Sequence, residues 1–320
     1  MIIHNAMFTP NYFKRDDIYV FAIGYEHRSY YLYDKIRSLI PEIKPIFFVL
    51  NDFSKYPHTL NKVKEIKKCN GKIYDSNYID SRIVQQTIMD IVCEQTTKKE
   101  SVTIHIDYSS MPRSWYCKLP TLLEKIIRQE DKIYFWYSEG SYPPSYEEYP
   151  SAGIDSFSLF SGKPSLKIDN ERVHVLGLGY DIIRSQAILS ITDPNFLVSC
   201  CAYNPKQKIL LDNLKTINNP ILSRSAMTLA LHIDDFEFMV YKLCDTANEL
   251  LPFGDVILIP DGTKPLIFAF SLVPDLLNKN GLTCLHITRN NKYFEAVDVG
   301  ATENVYGFSI NVSEPITNRL

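Results

Sequence analysis

Short, continuous apolar runs alternate along this chain with longer segments whose apolar residues recur every three or four positions. Residues 17–23 (Asp-Ile-Tyr-Val-Phe-Ala-Ile) and 45–50 (Pro-Ile-Phe-Phe-Val-Leu) have the length and the β-branched or aromatic character of buried strands. A helical pattern through Ile40 follows the first, and a Lys-rich amphipathic pattern over 57–69 follows the second. Next come a brief strand at 72–74, a helix over 80–96 with Ile83, Val84, Ile88, Ile91 and Val92 on one side, a strand at 102–107, a helix to about Gln129 and a strand at 132–137. Strands that alternate with helices in this way predict right-handed crossovers and a mostly parallel sheet.

From Glu139 to about Asn170 the helical period disappears. Pro and Gly punctuate the stretch, which carries a short strand at Phe157–Phe160. This places a boundary near 165, with a first Rossmann-like lobe and its irregular connector over 1–165 and a second lobe over 166–320. The second half then repeats the first. Arg172–Leu178 leads into Gly179-Tyr180-Asp181-Ile182-Ile183-Arg184-Ser185, which matches Gly24-Tyr25-Glu26-His27-Arg28-Ser29 with one inserted residue. At an offset of 154, Ile79-Asp80 returns as Ile233-Asp234, Asp107 as Asp261, Ser109 as Thr263, and Pro120, Leu122, Leu123 and Lys125 as Pro274, Leu276, Leu277 and Lys279. One near-constant offset across five elements reads as an internal duplication. The fold class expected is therefore α/β, two tandem pseudo-symmetric Rossmann-like lobes, each a mostly parallel sheet flanked by helices. Phe294–Val299 and Val305–Val312 are expected to close the second copy as a C-terminal hairpin. Ligands of parallel sheets bind outside the carboxyl ends of the strands, so the repeated turns are expected to converge on one cleft.

Composition narrows the function. With 34 Lys+Arg against 37 Asp+Glu, spread evenly over both halves, the chain lacks the basic excess of a duplex-binding surface. Its 7 cysteines form no C-x-x-C pair and no cluster with His at metal-ligand spacing, so they read as buried thiols and no metal or cofactor is expected. Met1–Pro10 has neither a basic start nor a long apolar run, and no apolar stretch reaches the roughly 20 residues of a membrane helix. A cytoplasmic protein without a membrane partner is expected.

The candidate chemistry lies where strands run into helices. Asp107 and Asp261 end apolar runs, in positions suited to capping backbone N–H groups or orienting a ligand hydroxyl. Ser109, Ser110 and Thr263 are placed to donate to a phosphate at a helix start, where N–H groups lack intrahelical partners. Arg113 and Lys264 follow these hydroxyls and are the natural anion partners; a solvated surface charge is the alternative for each. Arg28, Asp181 and Arg184 belong to the ligand-binding set too, or else Arg28 and Arg184 pair structurally with Glu26 and Asp181. Glu26, His27 and Asp107 would be the catalytic set if the protein is an enzyme. His105, His174, His232 and His286 stand in apolar patterns and read as core histidines. The tyrosines, including 142, 146 and 149, allow stacking on a nucleobase but fit sheet packing better.

Asp261-Gly262-Thr263-Lys264-Pro265, closing a strand and opening an apolar helix, resembles the Gly-Thr-Lys turn of CRISPR-associated Rossmann-fold (CARF) domains. Two such lobes in one chain are similar to the SAVED sensors of antiviral defence. Asp261 stands where the family turn usually has a second Gly, and the first copy has neither that Gly nor the Lys. The resemblance implies a nucleotide-binding sensor or accessory subunit that signals to an effector protein partner, with Thr263, Lys264, Ser109 and Ser110 on the ligand. The alternatives are an enzyme hydrolysing a nucleotide or cyclic oligonucleotide in the first lobe, and a structural partner subunit with degenerate pockets.

Overall fold

The computed structural model describes all of the chain except residues 54–55, 69–70, 142–150, 152, 166, 168–169, 289–297 and 313–320. The tyrosines at 142, 146 and 149, Cys69, and residues 294–297 of the expected hairpin lie outside the described residues. Two compact units are formed, one of Met1–Tyr142 with Asp298–Leu320 and the other of Pro143–Val297.

In chain order the first unit contains β1 (Ile2–Met7), β2 (Ile18–Ile23), α1 (Tyr31–Leu39), β3 (Pro45–Leu50), α2 (Pro57–Ile66), β4 (Lys72–Ser76), α3 (Ser81–Thr96), β5 (Thr103–Asp107), α4 (Arg113–Tyr116), α5 (Leu119–Leu123) and β6 (Lys132–Ser141). The second contains β7 (Ser156–Lys163), β8 (Arg172–Leu178), α6 (Ile182–Thr192), β9 (Phe196–Tyr203), α7 (Lys208–Ile217), α8 (Asn219–Leu222), β10 (Met227–His232), α9 (Phe236–Leu250), β11 (Asp255–Ile259), α10 (Lys264–Leu277) and β12 (Leu282–Thr288). The last strand, β13 (Gly300–Asn311), returns to the first unit.

Both sheets are mostly parallel and flanked by helices. The first has the order β1-β13-β6-β5-β2-β3-β4, the second β10-β9-β8-β11-β12-β7. In each, the first strand of the α/β series (β2 or β8) sits between the second and the fourth, so the sheet order reverses there. Every residue of β2 and β3 is buried, as expected of parallel strands covered on both faces. Alternation divides the cores. Tyr19, Phe21, Ile23, Phe47 and Trp136 pack with Leu32, Tyr33 and Ile36 of α1, while Phe48 on the opposite face meets Trp115 of α4 edge-on. In the second unit Leu176, Leu178 and Cys201 pack with Ile188 of α6 and with Leu211 and Leu214 of α7, and α10, buried from Pro265 to Pro274, meets α9 through Phe268 and Phe236.

Several expectations are corrected. Gly300–Asn304 is not a hairpin turn: it opens β13, which pairs antiparallel with β6 in the first sheet, Phe308 opposite Phe135, with an irregularity between Ala301 and Val305. The stacked rings of Phe135 and Phe308 give this pairing its apolar payload. Ser156–Lys163, read as connector of the first lobe, is β7 and pairs antiparallel with β12 of the second unit. The helix expected to reach Gln129 breaks into two short pieces around Cys117-Lys118, and Pro120 enters the first turn of the second. Cys93 is exposed on α3, whereas Cys117, Cys200, Cys201, Cys244 and Cys284 are buried. Burial pushes the Cys201 and Cys244 thiols up to about 11 and about 12. His105 and His174 are core residues, but His232 is exposed on β10 and His286 only half-buried.

Candidate functional site

In the first unit, β2 ends at Ile23 and the chain turns through Gly24-Tyr25-Glu26 into a short 3-10 helix, His27–Tyr30. Thr59 of α2 donates its hydroxyl to Gly24 O at 3.0 Å, pinning the turn. Arg28 is buried. Its Nε donates to Glu26 Oε2 at 2.8 Å, Nη2 to Glu26 Oε1 at 3.2 Å and Nη1 to the Tyr137 hydroxyl at 3.0 Å. Burial pushes the Tyr137 phenol up, partly offset by that guanidinium. The Arg28–Glu26 pairing considered from the sequence is therefore present, and it leaves Arg28 as the organiser of the turn.

The neighbouring strand β5 ends at Asp107, which is 2% exposed. Its Oδ1 accepts from the Ser109 N–H at 2.9 Å and from the Ser109 hydroxyl. Ser109 Oγ in turn accepts from the Ser138 N–H at 2.7 Å, and Ser109 is 0% exposed. Asp107 and Ser109 thus lock the end of β5 to β6. In this arrangement Asp107 and Ser109 have a structural role, with the Ser109 hydroxyl donating to one neighbour and accepting from another inside the protein. Ser110 is half-buried and donates to Glu26 Oε2 at 3.4 Å, and Arg113 is half-buried at the start of α4.

His27 stands apart from this network. Asp298, from the segment entering β13, accepts from the His27 N–H at 2.9 Å through Oδ1 and bonds to His27 Nδ1 through Oδ2. The two side chains are 49% and 46% exposed. The imidazole is thus held by a carboxylate at a half-exposed position, the kind of dyad that acid–base chemistry uses. Asp298 was not legible beforehand because it lies 271 residues away, in a stretch of no distinctive pattern.

The corresponding turns of the second unit are built differently. Asp181 caps α6, accepting from the Arg184 N–H at 2.9 Å. The Arg184 guanidinium goes mainly to Asp261 at the end of β11, donating from Nε to Oδ2 at 3.1 Å and from Nη2 to Oδ1, while Asp181 Oδ2 lies 3.9 Å from Nη1. The expected Arg184–Asp181 pairing is thus secondary to one that reaches from α6 to the turn after β11. Gly262 donates its N–H to Asp261 Oδ1 at 2.9 Å and has a φ of +93°, where a side chain would be strained. A Cβ on Gly177 would lie 2.4 Å from Asp261 O, and one on Gly179 3.0 Å from Gly262 Cα, so glycine permits the two turns to touch backbone to backbone. Thr263 then caps α10 without a side-chain capping bond; its Oγ1 is buried with no hydrogen-bond partner. Lys264, half-buried, is the first residue of α10.

Of the sequence-derived set, Arg28, Asp107, Ser109, Arg184 and Asp261 are interior residues that shape the turns. His27, Ser110, Arg113, Asp181 and Lys264 reach the surface of their units at the carboxyl ends of parallel strands, and Thr263 is half-buried there with its hydroxyl turned inside. No cluster of three His, Cys, Asp or Glu side chains suited to a metal is present among the described residues. Likewise, no described helix is long and apolar enough to cross a membrane. No family model matches the chain, and a search of curated proteins finds no match.

Proposed function

We propose that the protein binds a nucleotide or other phosphorylated small ligand at the carboxyl ends of its parallel strands, with the turn Asp261–Lys264 as the anion site, and acts as a sensor or accessory subunit in antiviral defence. The observation that carries the reading is Thr263: a buried hydroxyl without a partner at the mouth of a 14-residue helix whose first N–H groups favour an anion. The Arg184–Asp261 pair supports it electrostatically. Arg184 and Lys264 offset the carboxylates of Asp181 and Asp261, so an incoming phosphate meets a turn without net negative charge. The common order of the five parallel strands in the two sheets supports reading the units as pseudo-symmetric copies of one ancestral lobe. The defence role rests on the resemblance of Asp261–Pro265 to the CARF turn. Denaturing the purified protein and identifying released small molecules by mass spectrometry tests the reading: a phosphorylated compound retained by the parent chain and lost from Lys264→Ala is the expected result.

The His27–Asp298 pair favours a second reading, in which the first unit hydrolyses a nucleotide with His27 as base. Turnover of nucleotides by the parent chain, abolished in His27→Ala with affinity retained, would establish that reading.

A further inference from the structure

The open edge of the second sheet carries an independent message. β10 pairs only with β9, in parallel, and no other described strand pairs with it. Its six residues, Met-Thr-Leu-Ala-Leu-His, contain no charge and no proline. Met227 is 43% exposed, and Thr228, Ala230 and His232 are exposed as well. An uncharged apolar edge with unpaired N–H and C=O groups is a template for another strand, and proteins usually blunt such edges with charge. β4, an edge of the first sheet, is blunted in this way: it is shorter and exposes Lys72 and Asp75.

We propose that β10 pairs antiparallel with β10 of a second copy of this chain, joining two copies of the sheet about a two-fold axis. Alternate residues of an edge strand direct their backbone groups outward, so outward residues must face outward residues. The register centred on Leu229 satisfies this. It sets Leu229 opposite itself and Met227 opposite Leu231 along one face, and Thr228 opposite Ala230 along the other, pairing large apolar groups with large and small with small. The same register leaves Arg224, in the turn before β10, and Asp234 of the other copy, in the turn after it, at the same end of the ribbon, once at each end. Both are exposed, and among the described residues neither is in an ion pair. This charge complementarity selects a second copy over an unrelated peptide, because a homotypic antiparallel pair satisfies both charges twice.

Light scattering coupled to size exclusion, applied to the full chain over a range of concentrations, tests the proposal. The parent chain is expected to be a dimer, and Thr228→Lys with Ala230→Lys, which sets like charges opposite each other, a monomer. Arg224→Asp alone or Asp234→Arg alone should weaken the dimer by roughly tenfold. The double reversal Arg224→Asp/Asp234→Arg, which exchanges the charges without touching β10, should restore it. A monomeric parent chain at every concentration, a dimer indifferent to the lysine pair, or a double reversal no better than either single would overturn the proposal.

Discussion

Arg184 in the first turn of α6 and Asp261 beyond the end of β11, 77 residues apart in sequence, meet through two hydrogen bonds, with side chains 7% and 1% exposed. A guanidinium fork on a carboxylate is the geometry that makes burying both charges tolerable, and removing one partner strands the other. Arg184→Met is therefore expected to cost about 3–5 kcal/mol, and adding Asp261→Asn to recover much of it. Urea unfolding of the three chains checks this; equal stability of Arg184→Met and the parent would remove the pair from the account.

The glycines beneath this pair make a separate prediction. Gly262→Ala forces a side chain into φ +93° with its Cβ about 2.5 Å from Leu178 O, and Gly177→Ala drives a Cβ against Asp261 O. Each should lose at least ~2 kcal/mol, through strain and through the backbone shift that opens the turn. Thermal unfolding reads the loss, and an unchanged midpoint in either variant would show that the turns do not need their close approach.

Much of this architecture is legible from local pattern. Arg172–Leu178 is bounded to the residue by its apolar run, and the strand-to-helix turns are marked by glycine and hydroxyl residues. Long-range choices are not. Asp181 is the nearer carboxylate to Arg184 in sequence, yet the crossover order of the sheet delivers Asp261 to the guanidinium. The final strand has the same alternation whichever sheet it joins; only the partner, β6 with Phe135 waiting for Phe308, decides. Ser109 shows the same limit at the site: a serine two residues after an aspartate reads as a ligand donor, and its bond from the Ser138 N–H on the neighbouring strand has no local signal.

The return of β13 predicts a selective lesion. Phe308 is 1% exposed and belongs to the first unit, so Phe308→Ala should cost about 3–5 kcal/mol there. Hydrogen exchange is expected to show lost protection in β5 and β6 with β8 and β11 retained. The opposite distribution would return β13 to the second unit.

Acid should weaken the second unit through His174. The residue is 0% exposed, and burial, reinforced by Arg172, lowers its pKa from 6.5 to about 4. A depressed histidine pKa means that below 6.5 the unfolded chain takes a proton that the folded chain refuses. Stability is thus unaffected above about 7, falls as pH drops from 6.5 to about 4, and levels once the folded state is also protonated. His174→Gln should remove up to ~3 kcal/mol of this dependence. Denaturant titrations at pH 7.5 and pH 4.5 check it, and parallel pH profiles for the two chains would contradict it.

The central claim is that the Asp261–Lys264 turn holds a phosphate-bearing ligand, and calorimetric titration of the parent chain with mononucleotides, cyclic oligonucleotides and tripolyphosphate measures it directly. Binding of at least one of these, weakened tenfold or more by Lys264→Ala and also by Thr263→Val, while Lys264→Ala keeps the parent's thermal midpoint, is the predicted result. No binding by the parent chain, or binding that neither substitution changes, would contradict it.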